Sequence, residues 1–162
     1  MFREMRRAAQ QLPREVAVEI LERNTSGTLA LLGDKGYPYA VPMSYVYRDG
    51  KLYFHSAKTG HKVDAARNYE KASFCVIDQD QIVPEKYTTY YRSVIAFGKI
   101  RVVEAEGEIR GVAMALAMKY SADYGEGIPA EIDASIKAMA ILEMTVEHIT
   151  GKEARELAKM RK

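Results

Sequence analysis

Between Pro13 and Asn24 the apolar residues Val16, Ala17, Ile20 and Leu21 recur at the spacing of one helix face, and Pro13 suits a first turn. The period then shortens. Thr28 to Leu32, Tyr39 to Tyr47 and Lys51 to Ala57 read as short strands, and the Asp49-Gly50 pair between the last two is a strong hairpin signal that makes them antiparallel neighbours. In the middle segment Tyr39, Val41, Met43, Tyr45 and Tyr47 alternate with Ala40, Pro42, Ser44 and Val46, so one face belongs to a core. Pro42 has no N–H to give a ladder, which points to a sheet edge, a bulge or a strand that meets a ligand.

Val63, Ala66 and Tyr69 then mark a short helix from His61, and Ala72 to Ile77 resumes as strand. Asp78 to Lys86 reads as a loop. A long strand follows from Arg92 to Val103, bent at Gly98, and Ile109, Val112, Ala113, Leu116, Ala117 and Tyr120 trace an amphipathic helix. That helix breaks over Asp123 to Pro129, a helical turn starts at Glu131, and Met139 to Ile149 alternates as a final strand. Six strands joined by short connections and interrupted by helices predict a mainly β fold, a small antiparallel barrel with peripheral helices, as one domain over 1–162. Residues 1–12 are expected as a flexible arm and 152–162 as a C-terminal helix.

Composition narrows the classes. With 24 basic and 22 acidic side chains among 162 residues, and no long block of like charge, nothing favours nucleic acid as a partner. Arg3, Arg6 and Arg7 precede no apolar stretch of signal-peptide type, and no apolar run reaches membrane-spanning length. Cys75 has no second cysteine to pair with, and its place in the apolar run SFCVI reads as a buried structural thiol. A reducing cytoplasm is the expected location.

The stretch from Tyr53 to Lys62 is the one that suggests chemistry. It ends a strand, turns through Gly60 and starts a helix, where unpaired N–H groups and the positive end of the dipole favour an anion. His61 and Lys62 add charge, Ser56 and Thr59 add hydroxyls, and a phosphate monoester suits the set. A plain capped helix with solvated cations carries the same local sequence. The neighbouring strand adds to it: the hairpin is expected to lay Val41 to Tyr45 beside the end of the His55 strand, where a flat ring can stack on a donor-poor edge.

The blocks Gly36 to Tyr47, Tyr53 to Lys62 and Arg92 to Lys99 together resemble the nitroimidazole-resistance proteins, a branch of the pyridoxamine-phosphate-oxidase-like group with an FMN-binding split β-barrel. The resemblance implies a six-stranded split barrel and FMN, with FAD left open. It implies that Val41, Pro42, Met43 and Ser44 line the isoalloxazine, that His55 and Ser56 contact the flavin from a strand end, and that His61 and Lys62 hold the phosphate. Ser93 stands where the oxidases place a flavin-contacting glutamine. Ala40 and His61 replace oxidase arginines, so the vitamin B6 substrate is not implied. It further implies a homodimer with flavin at the interface, a small nitroaromatic acceptor, and His55 as the catalytic candidate beside the ring.

The remaining candidates carry less. His55, His61 and Cys75 do not have zinc-ligand spacing, and no metal is expected. His148 is expected as a hydrogen-bonded core histidine, and Tyr87, Tyr90 and Tyr91 as half-buried packing residues or a cover for a ring. No G-x-S-x-G motif supports a hydrolase. The rival class is a barrel that stores or senses flavin or haem without turnover, with His55 or His61 as the haem ligand.

Overall fold

The segment expected as one strand over 39–47 breaks at Tyr45, and that break organises the sheet. In the computed structural model, which describes residues 2–161, it becomes β2 (Pro38–Ser44) and β3 (Val46–Arg48). With β1 (Ser26–Leu32), β4 (Lys51–Ala57), β5 (Lys71–Val83), β6 (Thr88–Val103) and β7 (Met139–Glu153), the sheet has seven strands in the order β2-β1-β5-β6-β7-β4-β3. All pairings are antiparallel. The expected six-stranded barrel is therefore corrected to a seven-stranded sheet without hydrogen-bonded closure. Its two edges are consecutive pieces of chain, joined through Tyr45.

This splits the expected neighbourhood of β2. The Asp49-Gly50 turn has positive φ at both residues, 51° and 77°, and pairs Arg48 with Lys51, as a two-residue hairpin demands. Only β3 joins β4 there, however. Val41 to Ser44 pair with β1, Met43 opposite Gly27 and Pro42 opposite Thr28. Pro42 sits on an edge strand, where its missing donor costs no ladder bond.

The inward faces make one core around Leu29, Tyr45, Leu52, Phe54, Phe74 and Leu142, capped by Ala17, Ile20 and Leu21 of α1 (Arg14–Arg23). A second cluster lies outside the sheet, where α3 (Glu106–Ser121) and α4 (Ile128–Ser135) set Ile109, Leu116, Ile128 and Ile132 against Val103 and Ile141. The helices thus cover one half of the outer face. On the other half Pro42, Thr28, Cys75, Ile95 and Thr150 stand abreast across five strands, and Pro42, Thr28 and Ile95 are exposed there. Cys75 is half-buried on this outer face and not in the core; burial still pushes its thiol pKa up.

Strands run further than the pattern indicates. Asp78 to Val83, read as loop, continue β5 past a register shift between Ile77 and Gln79, and β6 begins at Thr88. The alternation fails there because Asp78 interrupts it. β7 likewise continues to Glu153, so the C-terminal helix shrinks to α5 (Arg155–Met160), and Lys162 lies outside the described residues. Residues of the N-terminal arm lie against β7: the Leu12 N–H donates to the Gly151 carbonyl at 2.9 Å, and Gln11 bridges to Lys152.

Candidate functional site

Gly60, with φ of 125°, turns β4 into α2 (His61–Asn68) and supplies no side chain to cap the helix. The Gly60 carbonyl takes the N–H of Val63 and of Asp64, at 2.9 and 3.1 Å. No side chain caps the amides of the first turn. Lys62, half-buried, forms no ion pair among the described residues. The result is an anion-favouring corner.

His61 ties this corner to β2. Its ring stacks on Tyr39 with centroids 4.1 Å apart, and its Nε2 accepts the backbone N–H of Asp34 at 3.3 Å. The Asp34 carboxylate stands 3.9 Å from the same nitrogen. Nε2 is thereby committed, and Nδ1 remains to meet a ligand. Gly33 makes the arrangement possible, because a Cβ there would lie 2.9 Å from the Tyr39 Cβ and 3.0 Å from His61 Nε2. Tyr39, Gly33 and Asp34 were absent from the expected site. The signal available was the glycine-flanked turn Gly33 to Gly36, but a contact 27 residues away leaves no local pattern.

The four β2 residues divide by pleat. Val41 and Met43 point into the core, while Pro42 and Ser44 are exposed on the outer face, so only the latter two offer side chains to a ligand there. His55 and Ser56 divide in the same way. His55 is exposed beside Ile141, and Ser56 is 6% exposed, turned inward. The Ser56 hydroxyl is buried with no hydrogen-bond partner among the described residues. Such an atom usually has a missing partner. Ser93 lies on the outer face of β6 opposite Ile77, three strands from β2 in sheet order, or about 14 Å.

β2 and β4 approach each other without pairing, which brings the Tyr39–His61 stack and the end of β4 to one side of the sheet. An orphan hydroxyl, a half-buried lysine and uncapped helix amides fit a phosphate-tailed cofactor at this corner. Exposed Pro42 and Ser44 give it an edge for a flat ring.

Elsewhere, His148 departs from the expected core histidine. It sits at a bulge opposite Phe97, stacked 4.6 Å from Phe2, and its buried Nε2 has no partner. Tyr87 is almost fully exposed at the tip of the β5–β6 hairpin, where its φ of 51° makes it part of the turn. Tyr90 Oη accepts a hydrogen bond from Lys86 Nζ at 2.9 Å, and Lys152 lies over the Tyr91 ring at 5.4 Å.

A family model described as pyridoxamine 5'-phosphate oxidase matches residues 13–153. No curated protein matches the sequence. Among solved structures, a conserved hypothetical protein of Mycobacterium tuberculosis superposes with a TM-score of 0.81 at 19% identity, covering 95% of this chain and 92% of that one. A candidate 5-nitroimidazole antibiotic resistance protein of Bacteroides thetaiotaomicron gives 0.75 at 20% identity, covering 88% and 86%. An FAD and haem binding protein of Mycobacterium smegmatis gives 0.73 at 22%, covering 90% and 73%. At these identities the likeness is one of fold. No helix among the described residues is long and apolar enough to cross a membrane.

Proposed function

Because the chain belongs to the pyridoxamine 5'-phosphate oxidase family, we propose that it is an FMN-binding oxidoreductase acting on small nitroaromatic acceptors. The observation that carries this reading is the corner at Gly60, four residues after the buried and unpartnered Ser56 hydroxyl of β4, where α2 starts with uncapped amides and the half-buried Lys62. The first turn of α2 and Lys62 hold the phosphate, His61 Nδ1 adds a contact, and Pro42 and Ser44 bound the ring. Bound FMN supplies the electron transfer. His55, exposed on the outer face, orients the acceptor and delivers a proton from its imidazole.

A homodimer belongs to the same reading. Pro42, Ser44 and His55 are exposed in one chain, which leaves a ring at β2 open to water. The uncovered half of the outer face, with Ile95 and the 64% exposed Ile77, offers a second copy an apolar surface. A second copy seated there walls in the ring.

The alternative is a flavin or haem carrier that does not turn over. Absorbance of the purified protein from 300 to 700 nm, with heat release and mass identification of any chromophore, separates the readings. FMN bands that bleach with a reduced nicotinamide and return with a nitroimidazole support the proposal. Flavin that no donor bleaches leaves the carrier, and a Soret band replaces flavin by haem. A colourless protein that takes up no added FMN refutes the flavin reading.

A further inference from the structure

Away from α2, the N-terminal arm and α5 enclose a groove of about 480 Å³ lined by Arg6, Arg7, Arg155 and Lys159 over Ala8 and Ala158. The size suits a nucleotide-scale ligand. No carboxylate lines it, and among the described residues none of the four cations is within ion-pair distance of one. The buried acid Glu153 is already taken by Arg161 at 2.7 Å and Arg92 at 3.3 Å. Its carbonyl accepts Gln10 Nε2 at 2.9 Å.

The segments that carry the four charges are fixed to the rest of the fold. The Leu12 bond to Gly151 ties the arm to β7, Ala154 N–H to the Tyr91 carbonyl at 2.8 Å ties the start of α5 to β6, and Arg161 donates to the Gln11 carbonyl of the arm at 3.2 Å. Four like charges therefore face one cavity in a chain whose net charge is only +2. Inside a Debye length their repulsion is incompletely screened, and an anion in the groove relieves it. The alanine side chains end at Cβ and leave the floor apolar and open.

The geometry points to a second ligand site here, for a small molecule that joins a phosphate or pyrophosphate to a flat apolar ring, such as a nucleoside diphosphate. The guanidinium forks of Arg6, Arg7 and Arg155 match phosphate oxygens, and the ring rests on the alanine floor. The short, concave groove favours one compact ligand over a polymer, which needs an extended track of cations. This site shares no residue with the Gly60 corner and does not depend on the flavin reading.

Calorimetric titration of the full-length protein with ADP and with adenosine, at 50 and 200 mM salt, tests it. ADP is expected to bind at least tenfold more tightly than adenosine, with affinity falling as salt rises. The double variant R155A/K159A should lose at least tenfold in ADP affinity while flavin content and melting temperature stay unchanged. If that variant does not fold, Ala8→Glu, which places a carboxylate on the floor, should give the same loss. Lys62→Ala should leave ADP binding intact. Equal affinity for ADP and adenosine, or loss of ADP binding in Lys62→Ala alone, overturns the proposal. So does tighter capture of a duplex oligonucleotide or of anionic phosphatidylserine vesicles than of ADP through Arg155 and Lys159.

Discussion

Two hydroxyls in this protein have opposite fates, and each makes a prediction at the scale of one residue. Tyr120 Oη accepts the N–H of Tyr45 at 3.0 Å, and its single proton goes to the carbonyl of Tyr45 or of Thr25. It thereby serves the backbone at the point where the chain leaves one sheet edge for the other. Tyr120→Phe orphans that amide and should cost about 1–3 kcal/mol, read from urea midpoints; an unchanged midpoint would mean water replaces the hydroxyl. Ser56 Oγ has no partner among the described residues. Ser56→Ala should leave the flavin-free protein as stable or slightly more so, and weaken FMN binding by about tenfold, or about 1.4 kcal/mol. Loss of stability without loss of flavin affinity would return Ser56 to the core.

At the scale of elements, the irregular places in long strands carry the specific interactions. Asp78 occupies the register shift in β5, where Arg23 approaches at 2.6 Å, Asn24 donates at 2.9 Å and Arg92 stands at 3.5 Å. Burial raises its pKa, but the bonds from Arg23 and Asn24 and the charges of Arg23 and Arg92 outweigh it, holding the carboxyl below its ordinary 3.8. A lowered folded pKa contributes stability above the unfolded value and loses it as pH falls through the folded one. Asp78→Asn should therefore cost about 1.5–3 kcal/mol at pH 7, with the gap to the parent narrowing only below about pH 4. A gap constant from pH 7 to 2 would remove the carboxylate from the explanation. Gly98 marks the irregularity between β6 and β7, where an added Cβ would lie 2.0 Å from the Thr145 carbonyl oxygen. Gly98→Ala should destabilise by about 3 kcal/mol or more, seen as a lower melting temperature or insoluble protein.

At the scale of the whole molecule, the helices cover one half of the outer face and leave Ile77, Ile95, Cys75 and Pro42 on the other. The proposed dimer uses that half. Ile95→Glu should shift sedimentation toward monomer and weaken flavin binding together, because the same contact buries the ring. A monomeric variant with undiminished flavin affinity would separate the site from the interface.

Much of this was legible along the chain because helices and hairpins are local. The period of Val16 to Leu21 marks α1, the Asp49-Gly50 pair marks the β3–β4 turn, and Gly60 before His61 marks the start of α2. Periodicity shows that β2 has two faces, but the resemblance set all four of Val41 to Ser44 against the flavin, and only the packing turns Val41 and Met43 into the core. What the chain order could not convey is which strands become neighbours, since pairing is decided by contacts distant in sequence. The break at Tyr45 depends on Tyr120, 75 residues away, and the anchoring of His61 on Tyr39 and Asp34 depends on a turn 27 residues before it. The convergence of Arg6 and Arg7 with Arg155 and Lys159 spans nearly the whole chain. Local sequence determined the elements and their buried faces through backbone propensity and solvent exclusion; only tertiary packing decided which polar groups meet, because a hydrogen bond or a cluster of charges needs two distant segments brought to the same place.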